Sequence, residues 1–196
     1  MDLFNKDFSE IKRKVLHLAT LLYPVLYNIW PRTTSLIISG SLIFADIIVE
    51  SIRLAFPKFN ELILKPFKGI YRTNEMNKIS TLIWTFTGAF LTMFIFLDKK
   101  IVTTALLYMV FGDSAAGLVG VHHGRTKLGY KSLEGSLSCF FICLICGLFF
   151  LPWQIAILGA LVATIIEFLP LPFSDNFWVP IISGFALTFF KKLFTS

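Results

Sequence analysis

The residues able to do chemistry in this chain stand inside apolar runs, where charge is costly. A charged side chain at mid-bilayer depth costs about 2.5–3.5 kcal/mol on insertion scales, so such groups face a partner, a cavity or a function. The run from Thr33 to Phe56 carries Asp46, Glu50 and Arg53. Their i, i+4, i+7 spacing puts all three on one helical face. Two carboxylates against one guanidinium leave a negative charge unmatched, which suits a cation or a Lys or His from another helix. The plainer alternative is an internal ion pair of Glu50 with Arg53. A second run ends in FGDSAAGLVGVHHG. Asp113, Gly117, Gly120 and Gly124 share a face there, so one surface offers an acid and a strip without side chains. Glycines admit either a neighbouring helix or a ligand. Helix packing explains the glycines but not Asp113, which calls for a metal, a proton or a cationic partner.

The polar loop that follows, His122 to Ser136, contains Gly124, Arg125, Lys127, Lys131, Ser132, Glu134, Gly135 and Ser136. Gly, Lys and Ser at a helix start are what a phosphate group needs: backbone N–H groups and the helix dipole attract the anion, and Lys adds a point charge. With Asp113 one helix earlier, the pattern points to a Mg²⁺–nucleotide site, because Mg²⁺ uses one or two carboxylates together with phosphate oxygens. Lys14 and His17 lie one turn apart at the start of the first apolar run. Glu75, Glu167, Asp175 and Asn176 are further candidates for closing the site. His122 and His123 lack a third ligand at suitable spacing. Cys139, Cys143 and Cys146 fall on one face of an apolar run and read as small packing residues, not a disulfide framework.

The elements that must position these groups are membrane helices. Of 196 residues, 56% are hydrophobic and only 15% charged, and 22 are Phe. A soluble domain carries about a quarter charged residues. A spanning helix needs roughly 20 apolar residues, so the length allows about seven spans with short loops in a single membrane domain, 1–196. The expected spans are about Val15–Trp30, Thr33–Phe56, Ile79–Leu97, Ile101–Val121, Leu137–Leu151, Trp153–Leu169 and Phe177–Phe190. An interfacial amphipathic stretch covers Lys58 to Lys78. The N-terminus, with acids mixed among the bases, is no cleavable signal.

The net charge of +6 fits headgroups and cytoplasmic loops, and a nucleic-acid partner is not expected. Placing the N-terminus inside puts twelve Lys and Arg residues on that face against five on the other. The positive-inside rule therefore sets the N-terminus and the loops at about 57–78 and 122–136 in the cytoplasm. The expected location is a bacterial cytoplasmic membrane, with an oligomer possible.

Four motifs in order, RK..H at Arg13–His17, D...E..R at Asp46–Arg53, GDSAAGLVG at Gly112–Gly120 and KSLEGS at Lys131–Ser136, resemble the CTP-dependent polyprenol and lipid kinase family. That family includes dolichol, phytol and diacylglycerol kinases and is distantly related to CDP-diacylglycerol synthases. The resemblance covers about Lys12 to Asn176. It implies an all-α, multi-span enzyme moving the γ-phosphoryl group of a nucleoside triphosphate, preferably CTP, to the hydroxyl of a membrane lipid alcohol, with Mg²⁺. Asp113 would bind the metal, with Asp46 or Glu50. Gly112, Ser114, Gly117, Gly120, Gly124, Lys127, Lys131, Ser132, Glu134, Gly135 and Ser136 would hold the nucleotide. Arg53 or Lys14 would offset charge on the transferred group, and one of Asp46, Glu50 and His17 would act as general base. A CDP-lipid-forming cytidylyltransferase and a small cation- or proton-coupled transporter are the alternative readings.

Overall fold

The computed structural model describes residues 12–13, 17–65, 78–129 and 131–195. Lys14, Glu75 and most of the expected interfacial stretch lie outside the described residues. Within them the protein is an all-α membrane protein with one short hairpin. A 3₁₀ turn, Leu18–Leu21, leads into α1, Leu22–Ile29. Pro24 lacks the N–H that would bond back to Thr20, which accounts for the change of helix type at this point. After Trp30 and Pro31 the chain reverses into α2, Arg32–Ala55, and Pro57 starts the short α3, Pro57–Leu64. Next come α4, Thr81–Ile95, and α5, Lys99–His123, which contains a π-helical turn at Tyr108–Gly112. The hairpin strands β1, Lys127–Leu128, and β2, Lys131–Ser132, pair Lys127 with Ser132. Then follow α6, Leu133–Leu148, α7, Trp153–Phe168, and α8, Asp175–Thr195.

All seven expected apolar segments are helical among the described residues. Three of them, α2, α5 and α8, are long and apolar enough to cross a membrane. The others are shorter: α6 and α7 have 16 residues each, or about 24 Å of helix. Burial separates their roles. In its apolar window α5 is 61% buried against 17% for α2, so α5 is the central post and α2 shows most of its surface to lipid. Tyr108, Met109 and Val110 of α5, and Cys143, Ile155 and Leu187 of α6, α7 and α8, have almost no exposure.

Several boundaries differ from the sequence reading, each for a local reason. Ser132 accepts a hydrogen bond from the Gly135 amide at 3.1 Å, so α6 starts at Leu133 rather than Leu137. Asp98 caps α5 by accepting from the amides of Lys100 and Ile101. Lys191 reaches that same carboxylate, which lets α8 continue to Thr195 despite its charges. Burial works against ionisation of Asp98, but Lys191 and the Ile101 and Lys100 amides outweigh it and hold the carboxyl below its usual range. The loop expected at 122–136 contains the hairpin, whose turn begins at Gly129 with φ of 66°.

The bundle has two distinct ends. At one, Arg32 donates to the carbonyls of Met93 and Phe94, Asn28 donates to Thr103, and Asp98 meets Lys191. At the other gather the ends of α2 and α7, the starts of α4 and α8, and the hairpin. One close approach builds this second end. A Cβ on Gly88 would lie 2.7 Å from the Asn176 carbonyl oxygen and 2.9 Å from the Phe177 Cα. Pro180 has no N–H to offer that carbonyl, and the first turn of α8 rests directly on the Gly88 backbone. Gly88→Ala should push α8 off α4 and cost about 1–3 kcal/mol. A lowered melting temperature in detergent, beyond that of Gly40→Ala, where the nearest atom is 3.6 Å away, is the expected readout.

Candidate active site

On α2 the sequence face is realised. Arg53 donates to both oxygens of Glu50, at 3.1 and 2.7 Å, and also to Asn60 of α3 at 2.9 Å. Glu50 accepts a further bond from the Ser80 amide at 3.0 Å. Both side chains are buried. Glu50 is thus engaged by a guanidinium and an amide, and the pair ties α2 to α3 and to the start of α4. This is the structural alternative for Glu50, whose oxygens both accept hydrogen bonds from protein. Asp46, one turn earlier, is different: its Oδ2 is buried and has no hydrogen-bond partner among the described residues. Tyr23, whose hydroxyl is likewise unsatisfied, lies within electrostatic reach of it.

These residues line a cavity of about 540 Å³ between α1, α2 and α4. Arg13, His17, Asp46, Glu50, Arg53 and Asn176 surround one end of it. His17 links the cavity to Asp113: its Nε2 is 3.6 Å from the Asp113 carboxylate and 3.5 Å from the Met109 carbonyl. Asp113 follows directly on the π-helical turn. Such turns re-aim the residues beside them and recur at functional sites.

Beyond Asp113 lies a second charged cluster. Lys131 of the hairpin contacts the carboxylate of Glu167 at 2.6 Å, the Glu167 carbonyl, and Asp175 at 3.2 Å. Burial pulls the Lys131 ammonium down, but Asp175 and Glu167 outweigh this and hold its pKa above the usual lysine range. Glu167, 4% exposed, keeps one oxygen without a partner and lies within electrostatic reach of Asp113 and Asp175. Sequence reasoning set Glu167 and Asp175 at the margin, yet they stand against Lys131. It missed Ser80 and Tyr23, which carry no motif; each matters only through its neighbour.

The glycines resolve differently from the acids. A Cβ on Gly135 would fall 2.8 Å from the Ala116 carbonyl, one on Gly120 3.1 Å from Ser132 Oγ, and one on Gly124 2.9 Å from Ser132. Gly112 is closed off by Cys143 at 2.9 Å. These four glycines let α5 and α6 meet, which is the packing reading. Ser132 is consumed as the helix cap, Ser114 donates to Val110, and Glu134 accepts from the Thr126 amide. Gly117 and Ser136 are half-buried, and Lys127 and Arg125 are exposed. Protein thus fills the space beside Gly112, Gly120, Gly124 and Gly135, while Ser136 Oγ is buried without a hydrogen bond among the described residues.

The fit of a divalent cation can be judged from the donors. The described residues hold no cluster of three ligating side chains, as a closed metal cage would require. Mg²⁺ bound with phosphate needs only one or two carboxylates. Asp113, with the oxygen of Glu167 that has no hydrogen bond among the described residues, fits that donor set.

No protein-family profile matches the chain, and no solved structure matches it. Three curated relatives do. An uncharacterised protein of Rickettsia prowazekii is 27% identical over 96% of this chain and 98% of its own length. CTP-dependent diacylglycerol kinase 1 of Saccharomyces cerevisiae is 26% identical over 94% of this chain and 74% of its own. The protein of the same name from Eremothecium gossypii is 27% identical over 70% of this chain and 53% of its own.

Two outcomes test the geometry. Glu50→Gln should leave Arg53 buried without its counter-charge and lower stability by about 3–5 kcal/mol, read as a large drop in melting temperature. Lys131→Ala should loosen the hairpin from α7 and α8. Because the folded pKa of Lys131 is raised, its contribution is complete below the ordinary lysine range and fades only as pH rises through the folded value. The melting-temperature difference between the wild type and Lys131→Ala should therefore stay constant from pH 6 to about pH 9. Over 94% of its length, then, the chain is distantly similar to one protein named CTP-dependent diacylglycerol kinase 1, and over 70% to a second of that name.

Proposed function

We propose that the protein is a membrane lipid kinase that transfers the γ-phosphoryl group of CTP to the hydroxyl of a lipid alcohol, diacylglycerol foremost. The observation that carries this reading is a convergence. A lipid-sized cavity ends at Asp46 and His17, and His17 also stands beside Asp113. The names of the Saccharomyces and Eremothecium relatives support the donor and the acceptor class.

In this reading the acceptor hydroxyl rests against Asp46, whose unpartnered oxygen takes the proton as the alcohol oxygen bonds to the γ-phosphorus. The bond from that phosphorus to the β–γ bridging oxygen breaks, and CDP leaves. Arg13, at the cavity mouth, offsets charge on the transferred group, a part also open to Lys14. Lys127 and Arg125 of the hairpin meet the phosphates, and Lys131 holds Glu167 and Asp175 in place. His17 bridges the acceptor and nucleotide sides. Mg²⁺ held by Asp113 and Glu167 would supply charge neutralisation on the phosphate oxygens. Glu50 and Arg53 keep α2, α3 and α4 together. The bias of Lys and Arg supports a cytoplasmic position for this end of the bundle, where CTP is available.

The test is incubation of the purified protein with CTP labelled in the γ-phosphate and with diacylglycerol, phytol and a short polyprenol. Label in a phospholipid product supports the proposal; a CDP-lipid with released pyrophosphate overturns it in favour of a cytidylyltransferase. Asp113→Asn should abolish transfer in a protein that still inserts and purifies normally. Asp46→Asn should lower turnover about 10²–10⁴-fold, the span of a lost general base, with little change in melting temperature. Unchanged turnover in Asp46→Asn would remove it from the proton-accepting role.

A further inference from the structure

The charged groups that α2 adds to the cavity wall, Asp46, Glu50 and Arg53, fall on its last turns. Among the described lining residues the buried polar atoms left without a hydrogen bond are Tyr23 Oη, Asp46 Oδ2 and Asn176 Oδ1, the first two within electrostatic reach of each other. Ser35, Ser39 and Thr85 of the wall also carry hydroxyls, but each donates back to its own helix. Ser35 bonds the Pro31 carbonyl at 3.3 Å, Ser39 the Ser35 carbonyl at 2.7 Å, and Thr85 the Thr81 carbonyl at 3.1 Å. A hydroxyl satisfied in this way presents little but carbon to the space beside it. Toward Ser35 the wall adds Leu26, Ile38 and Met93, with the rings of Tyr27 and Trp30.

The direction of the cavity follows from the helices. α1 and α2 form an antiparallel hairpin turning at Trp30 and Pro31. α4 runs antiparallel to α2, with Ser80 bonded to Glu50 at one end and Met93 bonded to Arg32 at the other. The cavity therefore runs from Asp46 toward Ser35, Trp30 and Met93. Asp46 and Ser35 are eleven residues apart, about 16 Å along a helix. An extended covalent chain advances about 1.2 Å per bond, so this depth corresponds to roughly fourteen bonds.

We propose that this cleft is a tail channel. It takes a hydrocarbon chain of the lipid alcohol into the protein, hydroxyl at Asp46 and chain end at Trp30 and Met93, and its depth selects acceptors by chain length. Ser39 is the specificity-determining residue: its small side chain, 2% exposed, keeps the channel open midway. The assignment of the occupant as an acceptor rests on the kinase reading; the channel itself does not. Chain length should matter up to about fourteen carbons and little beyond. Ser39→Phe should close the channel about 10 Å from Asp46, or about nine carbons, while leaving the polar end intact.

The experiment uses straight-chain alcohols of eight and fifteen carbons with a photoreactive diazirine at the chain end. They are crosslinked to the full chain in detergent without nucleotide and mapped by mass spectrometry. The fifteen-carbon probe should label Tyr27, Trp30, Ser35 or Met93, and the eight-carbon probe residues nearer Leu42. Ser39→Phe should cut the distal labelling at least tenfold and spare the proximal. Labelling of the longer probe confined to lipid-facing residues such as Ile37 and Phe44, 64% and 67% exposed, overturns the channel. If Ser39→Phe does not fold, the wild-type labelling pattern alone decides. In the kinase assay the same variant should lower the ratio of tetradecanol to octanol phosphorylation at least tenfold; an unchanged ratio in an active variant also overturns the proposal. Correct labelling in a protein that phosphorylates no alcohol refutes the kinase reading and leaves the channel standing.

Discussion

A charged side chain among apolar helices must find a counter-charge or a hydrogen bond, because nothing else in hydrocarbon solvates it. In this protein that requirement shapes one whole end of the bundle. Arg53 draws Glu50, Asn60 and the start of α4 together, and Lys131 draws Glu167 and Asp175. Through the Ser80 amide the first cluster reaches across 30 residues, and Lys131 reaches across 36 and 44. The charges are few, so each one fixes the position of a helix end. Apolar packing between helices alone, in a solvent as apolar as the helices themselves, would leave more latitude.

The consequence is a division of labour among the acids. Glu50 is committed to the framework. Asp46, a turn away on the same face, is not, and it opens onto the cavity. Asp113 belongs to a different wall, set by the π-helical turn of the central helix and joined to the cavity by His17. An oily space and a charged, hairpin-covered space therefore share a border, which is the arrangement that a reaction between a lipid and a water-soluble nucleotide demands. The strip of glycines on α5 serves this border indirectly. By letting α6 press against α5, it seats Ser132, at the end of the hairpin, against Gly120 and Gly124.

The turn between α7 and α8 shows how the surrounding framework supports that border. Phe173 adopts a φ of 72° and stacks on Trp84 of α4 with ring centroids 4.1 Å apart. A non-glycine residue in this conformation is held there by its surroundings. The stack fixes the turn two residues before Asp175, so the acid that meets Lys131 is anchored from α4 as well as from α8. Gly88, on the same helix, carries the neighbouring Asn176.

The sequence by itself determined the class of the protein, its seven apolar helices and the identity of the costly charges. These follow from quantities that are local: apolar run length, helical periodicity, and the rarity of Asp, Glu, Arg and Lys in hydrocarbon. It also exposed Asp46, Glu50 and Arg53 as one face and Asp113 as an acid that packing alone does not explain. Tertiary structure decided which of those charges are already satisfied. Glu50 and Asp46 have the same chemistry and nearly the same position, and only the approach of Arg53 and the Ser80 amide separates them. Likewise the GDSAAGLVG and KSLEGS segments look alike as a ligand cradle or a helix contact, since both need the absence of side chains. The structure fills the space opposite Gly112, Gly120, Gly124 and Gly135 with protein, and it leaves the open space between α1, α2 and α4. Pairing and cavity shape are relations between distant residues, and no spacing along the chain encodes them.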